Sequence, residues 1–587
     1  MITTRKLISI SVAISFPFSL SSSFAALPEP VAGNDVSPAA CAAVGIKLND
    51  IRDKTGIFGG RGGLPMIMAA PPPAPPPPSA AAPMMRLESP RTQSVIVSGA
   101  RMPSGPSSAY PQFDTEKYPH ATQNPVKQVA QEPVSTFSID VDTASYSNAR
   151  RFLKDGQLPP RDAVRVEEMV NYFDYGYALP DKASEPFRIS TALAPAPWAH
   201  KHRILHVGVQ GYDIPRAAQP PMNLVFLVDN SGSMYEPDRL PLAKKSLNVL
   251  IDQLRPQDRV ALVAYAGTAG LVLSPTAGDQ KLKVRCALQT LDAGGSTAGG
   301  QGLALAYALA EQNFRKDAVN RIILMTDGDF NVGISDPEKL KDFVAGKRKT
   351  GIYLSVYGFG RGNYKDTMMQ SLAQNGNGTA SYIDTLDEAR KLFRDDLSGS
   401  IFPIADDVKI QIEFNPKVVS EYRLIGYETR ILNREDFNND RVDAGDVGSR
   451  ASVTALYELT MAGEKQSVDP LRYVSDTKVK GGNSSELGYL KLRYKLPGQD
   501  SSKLMQTPIS VSIASPTLAA APESTRWAIA VAGFGEKLRG SPWLDEKFGW
   551  DDIKALAQGA RGSDAYGLRA EFVRLVDDAK DAKHVTE

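Results

Sequence analysis

Hydrophobic positions along this chain change their spacing near residue 223 and again near residue 400. Between those points, short apolar runs alternate with stretches whose apolar residues recur at helical spacing. Such alternation is typical of a mainly parallel sheet that helices cover on both faces. The pattern therefore predicts an α/β domain with a doubly wound, mainly parallel sheet over residues 223–400. Its predicted strands include Leu224–Val228, Val260–Ala264, Ile322–Met325 and Tyr353–Val356.

Alternating, β-branched sequences lie on both sides of this domain, at residues 187–222 and 401–522. Alternation of apolar and polar residues indicates strands with one buried face. We expect the strands of 187–222 to pair with those of 401–522, which places the α/β domain inside a β-sandwich-like region. Residues 131–186 are predicted to form an α+β region, and residues 523–587 a C-terminal helical segment.

The first 26 residues have a positively charged start, an apolar stretch and small residues before Ala26, which is typical of an export signal. A short buried helix is the alternative, and Pro17 disfavours it. We therefore expect an exported protein, located in the periplasm or the outer cell envelope. Cys41 lies too far beyond the apolar stretch to carry a lipid, so no lipid anchor is expected.

Residues 27–130 are rich in proline and glycine and include the run PPPAPPPP at 71–78. That composition predicts a disordered linker, with a docking site for a proline-recognising partner as the alternative. The chain has two cysteines, Cys41 and Cys286. They can pair in an oxidising compartment, but one lies in the predicted linker and the other in a helical pattern. We expect two independent thiols.

The composition excludes some classes of function but does not identify one. The 587 residues carry 67 Lys and Arg against 66 Asp and Glu, a net charge of +1. This balance gives no basic surface for a nucleic-acid partner. After the signal, no apolar run is long enough for a transmembrane helix. Nothing in the composition indicates an oligomeric state.

Oxygen-bearing side chains cluster where the predicted strands of the α/β domain end. Asp229, Ser231 and Ser233 follow the first strand, Asp327 ends a later strand, and Thr297 lies in a glycine-rich loop. The carboxyl ends of parallel strands meet at one edge of a sheet, where such folds bind ligands. Two carboxylates and three hydroxyls are hard oxygen donors that suit Mg²⁺, with Mn²⁺ or Ca²⁺ as alternatives.

These residues resemble the metal-ion-dependent adhesion site of von Willebrand factor type A domains. The family pattern is Asp-x-Ser-x-Ser, a threonine in a glycine-rich loop and a strand-end aspartate, and all its positions are present here. The resemblance implies a Rossmann-like fold and direct contact of the serines and threonine with the ion. It implies that one or both aspartates act through water. It further implies an open position on the ion for the carboxylate of a protein partner.

The flanking sequences resemble the YfbK-like family of bacterial exported proteins, over roughly residues 131–582. The resemblance is carried by SIDVDTASYSNARRFL, RLIGYETRILNREDFNNDRVDAGDVG and GARGSDAYGLRAEFVRLV. Members of that family are often lipoproteins, and the absence of a suitably placed cysteine departs from this.

Two other groups of residues are candidate ion sites. The acidic stretch 436–446 begins like a calcium-binding loop, but Arg441 and Val447 occupy positions where such loops need glycine and an acid. A solvated acidic turn is the preferred interpretation. His200, His202 and His206 fall on one strand face and raise the alternative of zinc, against polar residues of an edge strand.

We therefore expect an envelope binding protein that uses Mg²⁺ at Asp229, Ser231, Ser233, Thr297 and Asp327 to bind an acidic group of a protein partner. A metal-dependent adaptor or assembly factor for a larger envelope complex is the alternative. An envelope hydrolase is the third hypothesis. We do not expect this protein to be an enzyme, because no residue pattern places a general base beside a nucleophile.

Overall fold

The computed structural model describes residues 36–48, 116–139, 141–297, 299–328, 337–469 and 484–583. The predicted export signal and the proline run lie outside these ranges. The helices are α1 (Pro38–Ala43), α2 (Ala144–Lys154), α3 (Val166–Asn171), α4 (Leu240–Gln253), α5 (Lys281–Gln289), α6 (Gly299–Gln312), α7 (Pro337–Arg348), α8 (Asp366–Asn375), α9 (Leu386–Arg390), α10 (Leu397–Ile401), α11 (Glu523–Leu538), α12 (Trp550–Gly559) and α13 (Leu568–Asp581).

The strands form three sheets. They are β1 (Lys127–Gln128), β2 (Val134–Ser138), β3 (Phe187–Pro195), β4 (Arg203–Gly211), β5 (Met222–Asp229), β6 (Arg259–Tyr265), β7 (Ala269–Ala277), β8 (Val319–Thr326), β9 (Ile352–Gly358), β10 (Ala380–Tyr382), β11 (Pro403–Phe414), β12 (Val419–Ile425), β13 (Gly445–Gly448), β14 (Ser452–Met461), β15 (Glu486–Lys495) and β16 (Ser502–Ser510).

The α/β domain has one six-stranded sheet in the order β10-β9-β8-β5-β6-β7. Strands β10 to β6 are parallel to one another, and β7 is an antiparallel edge strand. Every residue of β5 and β8 is buried, because separate apolar clusters cover the two faces of the sheet. The predicted doubly wound α/β fold is confirmed.

The flanking strands form a β-sandwich around a shared apolar core. One sheet has the antiparallel order β1-β12-β14-β4-β3, so strands from before and after the α/β domain pair directly. The other has the order β13-β11-β15-β16, with β2 also paired to β11. The α/β domain is therefore an insertion between β4 and β11.

Helices cover the outer face of the first of these sheets. Helices α2 and α3 pack with α11, α12 and α13 around the buried side chains of Trp527, Phe534 and Phe572. The same cluster includes Ile204 from β4 and Leu456 from β14. The C-terminal helices thus share one core with helices of the region 131–186, which the sequence pattern had placed apart.

The disordered-linker prediction for 27–130 is wrong for the parts that the structure describes. Residues 38–43 form α1, and β1 at 127–128 pairs with β12. Residues 116–118 lie against the α/β domain, where the backbone N–H of Lys117 donates to the carbonyl of Tyr364 at 3.0 Å. Short polar segments of this kind carry little hydrophobic periodicity, because their contacts are mainly backbone hydrogen bonds and ion pairs.

The expectation of two independent thiols is also wrong. Cys41 in α1 and Cys286 in α5 form a disulfide, and both are fully buried. Helix α1 packs on α5, and Ile46 joins the apolar cluster on that face of the sheet. The sequence separation of 245 positions hides this proximity, which depends on the tertiary fold alone.

No helix in the described part of the chain is long and apolar enough to cross a membrane.

Candidate metal centre

The candidate centre lies at the carboxyl edge of the parallel strands. Asp229 is the last residue of β5, and Asp327 directly follows β8, its neighbour in the sheet. Strands that end side by side bring both carboxylates to one crevice. Both residues are fully buried.

Asp229 accepts its hydrogen bonds from neutral groups. The backbone N–H of Ser231 donates to Oδ1 at 2.9 Å, and the hydroxyl of Thr326 donates to Oδ2 at 3.0 Å. Burial raises the pKa of Asp229 to about 6, and the charge of Asp327 acts in the same direction. A buried carboxylate in this state is stabilised by a nearby cation.

Ser231 and Ser233 lie together beside this carboxylate. Their Oγ atoms are 3.0 Å apart. A short 3₁₀ turn, Gly232–Tyr235, turns the chain after β5, so that Ser231 is buried while Ser233 remains partly accessible. Two hydroxyl oxygens at this separation can contact one ion.

The loop that carries Thr297 is tied to the serine loop by backbone hydrogen bonds. The N–H of Gly294 donates to the carbonyl of Asn230 at 2.8 Å, and the N–H of Gly232 donates to the carbonyl of Gly295 at 2.9 Å. Gly295 has a φ of +82°, a conformation that favours glycine. Thr297 follows on this loop, half-buried, just before α6.

Asp327 has a different environment from Asp229. Its Oδ2 accepts a hydrogen bond from Nη1 of Arg239 at 3.0 Å and another from the side-chain amide of Asn363 at 2.9 Å. Arg239 directly precedes α4, and Asn363 lies in the loop after β9. Both donors fix the position of this carboxylate.

The residues present fit a divalent ion with oxygen ligands. Among the described residues, no three His, Cys, Asp or Glu side chains converge to hold a metal. An ion here would therefore depend on hydroxyl oxygens together with the two aspartates, as hard cations such as Mg²⁺ accept. The buried, like-charged carboxylates and the paired hydroxyls supply that donor set.

Sequence reasoning did not find Arg239, Asn363 or Thr326. Thr326 directly precedes Asp327, and Arg239 stands at the start of a helix whose first turn faces the site, so both had a local signal. Asn363 is brought in by the loop after β9, and nothing in its local sequence indicates the contact.

In the acidic stretch 436–446, the second candidate ion site, the carboxylates make separate contacts with different protein groups. Asp440 accepts from Arg493 and Ser502, while Asp443 pairs with Arg348 of the α/β domain at 2.7 Å. Asp436 accepts from the backbone and side chain of Asn433. These carboxylates bond protein donors of different elements, in keeping with a structural acidic turn.

His202, just before β4, and His206, within it, likewise make structural contacts. His202 contacts a carboxylate oxygen of Glu458 at 2.6 Å, whereas His206 lies between Thr525 and Tyr177. Burial lowers the pKa of His206 to about 4, so it is neutral at physiological pH. The expectation of an edge strand is wrong, because β4 lies between β3 and β14.

Comparison with known families agrees with this architecture. Residues 223–395 match the von Willebrand factor type A domain, and residues 112–206 match the family described as von Willebrand factor. Residues 399–582 match the family described as uncharacterized protein YfbK, C-terminal.

The chain is also similar to individual proteins. Uncharacterized protein YfbK of Escherichia coli (strain K12) is 47% identical over 480 residues, which are 81% of this chain and 82% of that protein. The solved von Willebrand factor type A structure from Catenulispora acidiphila aligns with 70% of this chain and 89% of its own, at 17% identity and a TM-score of 0.37. Proximal thread matrix protein 1 from the mussel byssus, solved with a zinc-occupied adhesion motif, aligns with 32% of this chain and 46% of its own, at 23% identity and a TM-score of 0.26.

Proposed function

Because the chain belongs to the YfbK family of von Willebrand factor type A domain proteins, we propose that it is an exported binding protein of the bacterial cell envelope. A divalent ion, Mg²⁺ by preference, is held at the carboxyl edge of the sheet and binds an acidic group of a protein partner. The observation that carries the proposal is the buried pair Asp229 and Asp327 beside the hydroxyls of Ser231 and Ser233.

The ligand set supports binding of a carboxylate. Asp229 and Asp327 supply at most two negative charges, while Ser231, Ser233 and Thr297 are neutral donors. The ion, when bound, supplies positive charge at an accessible edge, and a hard cation with neutral ligands favours an anionic oxygen as a further ligand. Tyr235, next to the serine loop and 76% exposed, offers a partner an aromatic contact beside the ion.

The disulfide supports export. Structural disulfides persist in oxidising compartments such as the periplasm and are rare in the cytosol. Cys41 and Cys286 are buried together, and the first 26 residues have the pattern of an export signal. We propose a location in the periplasm or outer envelope.

The proposed role is binding and not catalysis. The described contacts at the site are hydrogen bonds that position oxygen ligands, and they include no base aligned with a nucleophile of the kind that covalent catalysis requires.

The first test is direct titration of the purified protein with Mn²⁺ by isothermal calorimetry, followed by competition with Mg²⁺. Asp229→Ala is expected to abolish the binding, because it removes the buried carboxylate at the centre of the ligand set. Asp252→Ala is the matched control, since Asp252 is a half-exposed carboxylate of the same domain that pairs with Arg285. It is expected to bind as the wild type does.

The second test is crosslinking in the intact envelope, with wild type and Asp229→Ala compared in Mg²⁺ and in excess chelator. A partner captured by the wild type only when metal is present is the expected result. Equal capture by the Asp229→Ala protein in chelator would contradict metal-dependent adhesion.

A further inference from the structure

Arg239 joins three loops of the candidate site. Its Nη1 donates to Asp327 Oδ2 at 3.0 Å and to the carbonyl of Ser233 at 2.6 Å, and its Nη2 donates to the carbonyl of Arg361 at 2.5 Å. The side chain is 9% exposed. A single buried cation therefore contacts the strand-end aspartate, the serine loop and the loop after β9.

The backbone at Gly360 approaches the Arg239 side chain closely. Gly360 has a φ of +75°, and a Cβ atom at that position would collide with the Arg239 side chain. The glycine thus allows the Arg239 side chain to lie close to this loop. The hydrogen bonds to Asp327, Ser233 and Arg361 fix the positive charge beside Asp327.

This charge acts against any divalent ion at the same site. Asp229 and Asp327 together carry two negative charges, and the direct contact with Arg239 offsets one of them. Like charges a few ångströms apart repel strongly where burial limits screening by water. The hydrogen bonds from Arg239 and Asn363 to Asp327 Oδ2 also compete with an ion for that oxygen.

We infer that Arg239 is a resident counter-charge that weakens the site's hold on its ion and leaves the bound ion with more positive charge for the partner's carboxylate. This inference rests on the proposed function and adds the residue that regulates it. Arg239 is a positioning residue, since it acts through Asp327 and Ser233.

The test is the dissociation constant of Mn²⁺ alone, measured by calorimetry and by the electron paramagnetic resonance signal of free Mn²⁺. Arg239→Gln keeps an N–H donor and removes the charge. Because a repulsive unit charge is removed next to the ligand set, the dissociation constant is expected to fall about tenfold. Arg239→Lys keeps the charge and is expected to remain within about twofold of the wild type.

Arg255→Gln is the matched control. The Arg255 side chain is 13% exposed and, like Arg239, it pairs with a carboxylate, that of Asp258 at 3.0 Å, and donates to two carbonyls, those of Gln219 and Pro220. It lies before β6, at the opposite edge of the sheet. Its substitution removes the same charge from the domain and is expected to leave Mn²⁺ binding unchanged.

The outcomes separate this inference from the proposal on which it rests. If the wild type binds no Mn²⁺, the metal-dependent function fails. If the wild type binds and Arg239→Gln binds with equal or lower affinity, or if Arg239→Lys binds as tightly as Arg239→Gln, the counter-charge inference is wrong. An Arg239→Gln protein that does not fold, judged by circular dichroism, would also overturn it by making Arg239 a purely structural residue.

Discussion

The carboxyl edge of the α/β sheet and the interface between this domain and the helical layer both bury carboxylates, but they pair them differently. At the interface, Arg150 contacts Asp384 and Glu388 of the α/β domain, and Arg165 contacts Asp366 at 2.7 Å. At the edge, Asp327 also contacts a guanidinium, that of Arg239, but Asp229 accepts its hydrogen bonds from a backbone N–H and a threonine hydroxyl.

This difference separates a structural role from a functional one. A buried carboxylate that contacts a guanidinium has its charge compensated inside the protein, so it fixes one domain against another. A buried carboxylate with neutral donors retains an uncompensated charge, which is costly unless a cation from outside supplies the compensation. The interface is complete as folded, whereas Asp229 at the edge would be compensated by the proposed ion.

The largest effect is expected from Arg150→Ala at the interface. Removal of this guanidinium leaves Asp384 and Glu388 buried without their cation, at a cost of about 3–5 kcal/mol in the free energy of unfolding. Chemical denaturation followed by tryptophan fluorescence measures it. Arg361→Ala is the control, because Arg361 is 54% exposed and its pair with Asp155 is worth about 1 kcal/mol or less. Equal unfolding midpoints for the two variants would contradict the structural role of Arg150.

The next largest effect is expected at the disulfide between Cys41 and Cys286, which attaches α1 to α5. Replacing both Cys41 and Cys286 with serine is expected to lower the free energy of unfolding by about 2–4 kcal/mol, because the closed loop restricts the unfolded chain. The reductant dependence of the melting temperature is the measurement. The wild type should lose stability when reduced, and the double variant should not respond. A wild type that melts identically with and without reductant would show that the disulfide contributes nothing.

Sequence patterns predict the carboxyl edge of the α/β sheet better than the interface between this domain and the helical layer. The motif Asp229-x-Ser231-x-Ser233 and Asp327 occupy strand ends, which hydrophobic periodicity locates well, so the edge could be recognised from the sequence. The interface could not, since Arg150 and Asp384 are 234 residues apart and each looks like a surface charge on its own helix or loop. Polar contacts between distant segments have no periodic signature.

The same limit explains the errors near the N-terminus. Glu116 is 3% exposed and pairs with Arg151 of α2 at 2.7 Å, and it also accepts from the N–H of Gly362. These contacts order a segment that composition assigns to a linker. Composition reports the average tendency of a stretch to form a core, and it does not detect a few residues fixed by specific partners.

The smallest expected effect is a pH dependence of stability, measured in chelator. It tests directly whether the charge of Asp229 is uncompensated. The pKa of Asp229 is raised to about 6 by burial and by Asp327, from an ordinary value of 3.8. The folded state therefore keeps its proton at pH values where the unfolded chain has released it, and stability falls as pH rises from about 4 to about 6. Two pKa units correspond to about 1–3 kcal/mol in the free energy of unfolding.

Asp229→Asn should lack this loss, so the stability difference between variant and wild type should grow up to pH 7. Asp366, whose pKa burial also raises to about 6, is present in both proteins and cancels. Mg²⁺ should restore stability at pH 7 in the wild type alone. If the stabilities of wild type and variant instead change in parallel with pH, Asp229 is already compensated within the protein, as the interface carboxylates are.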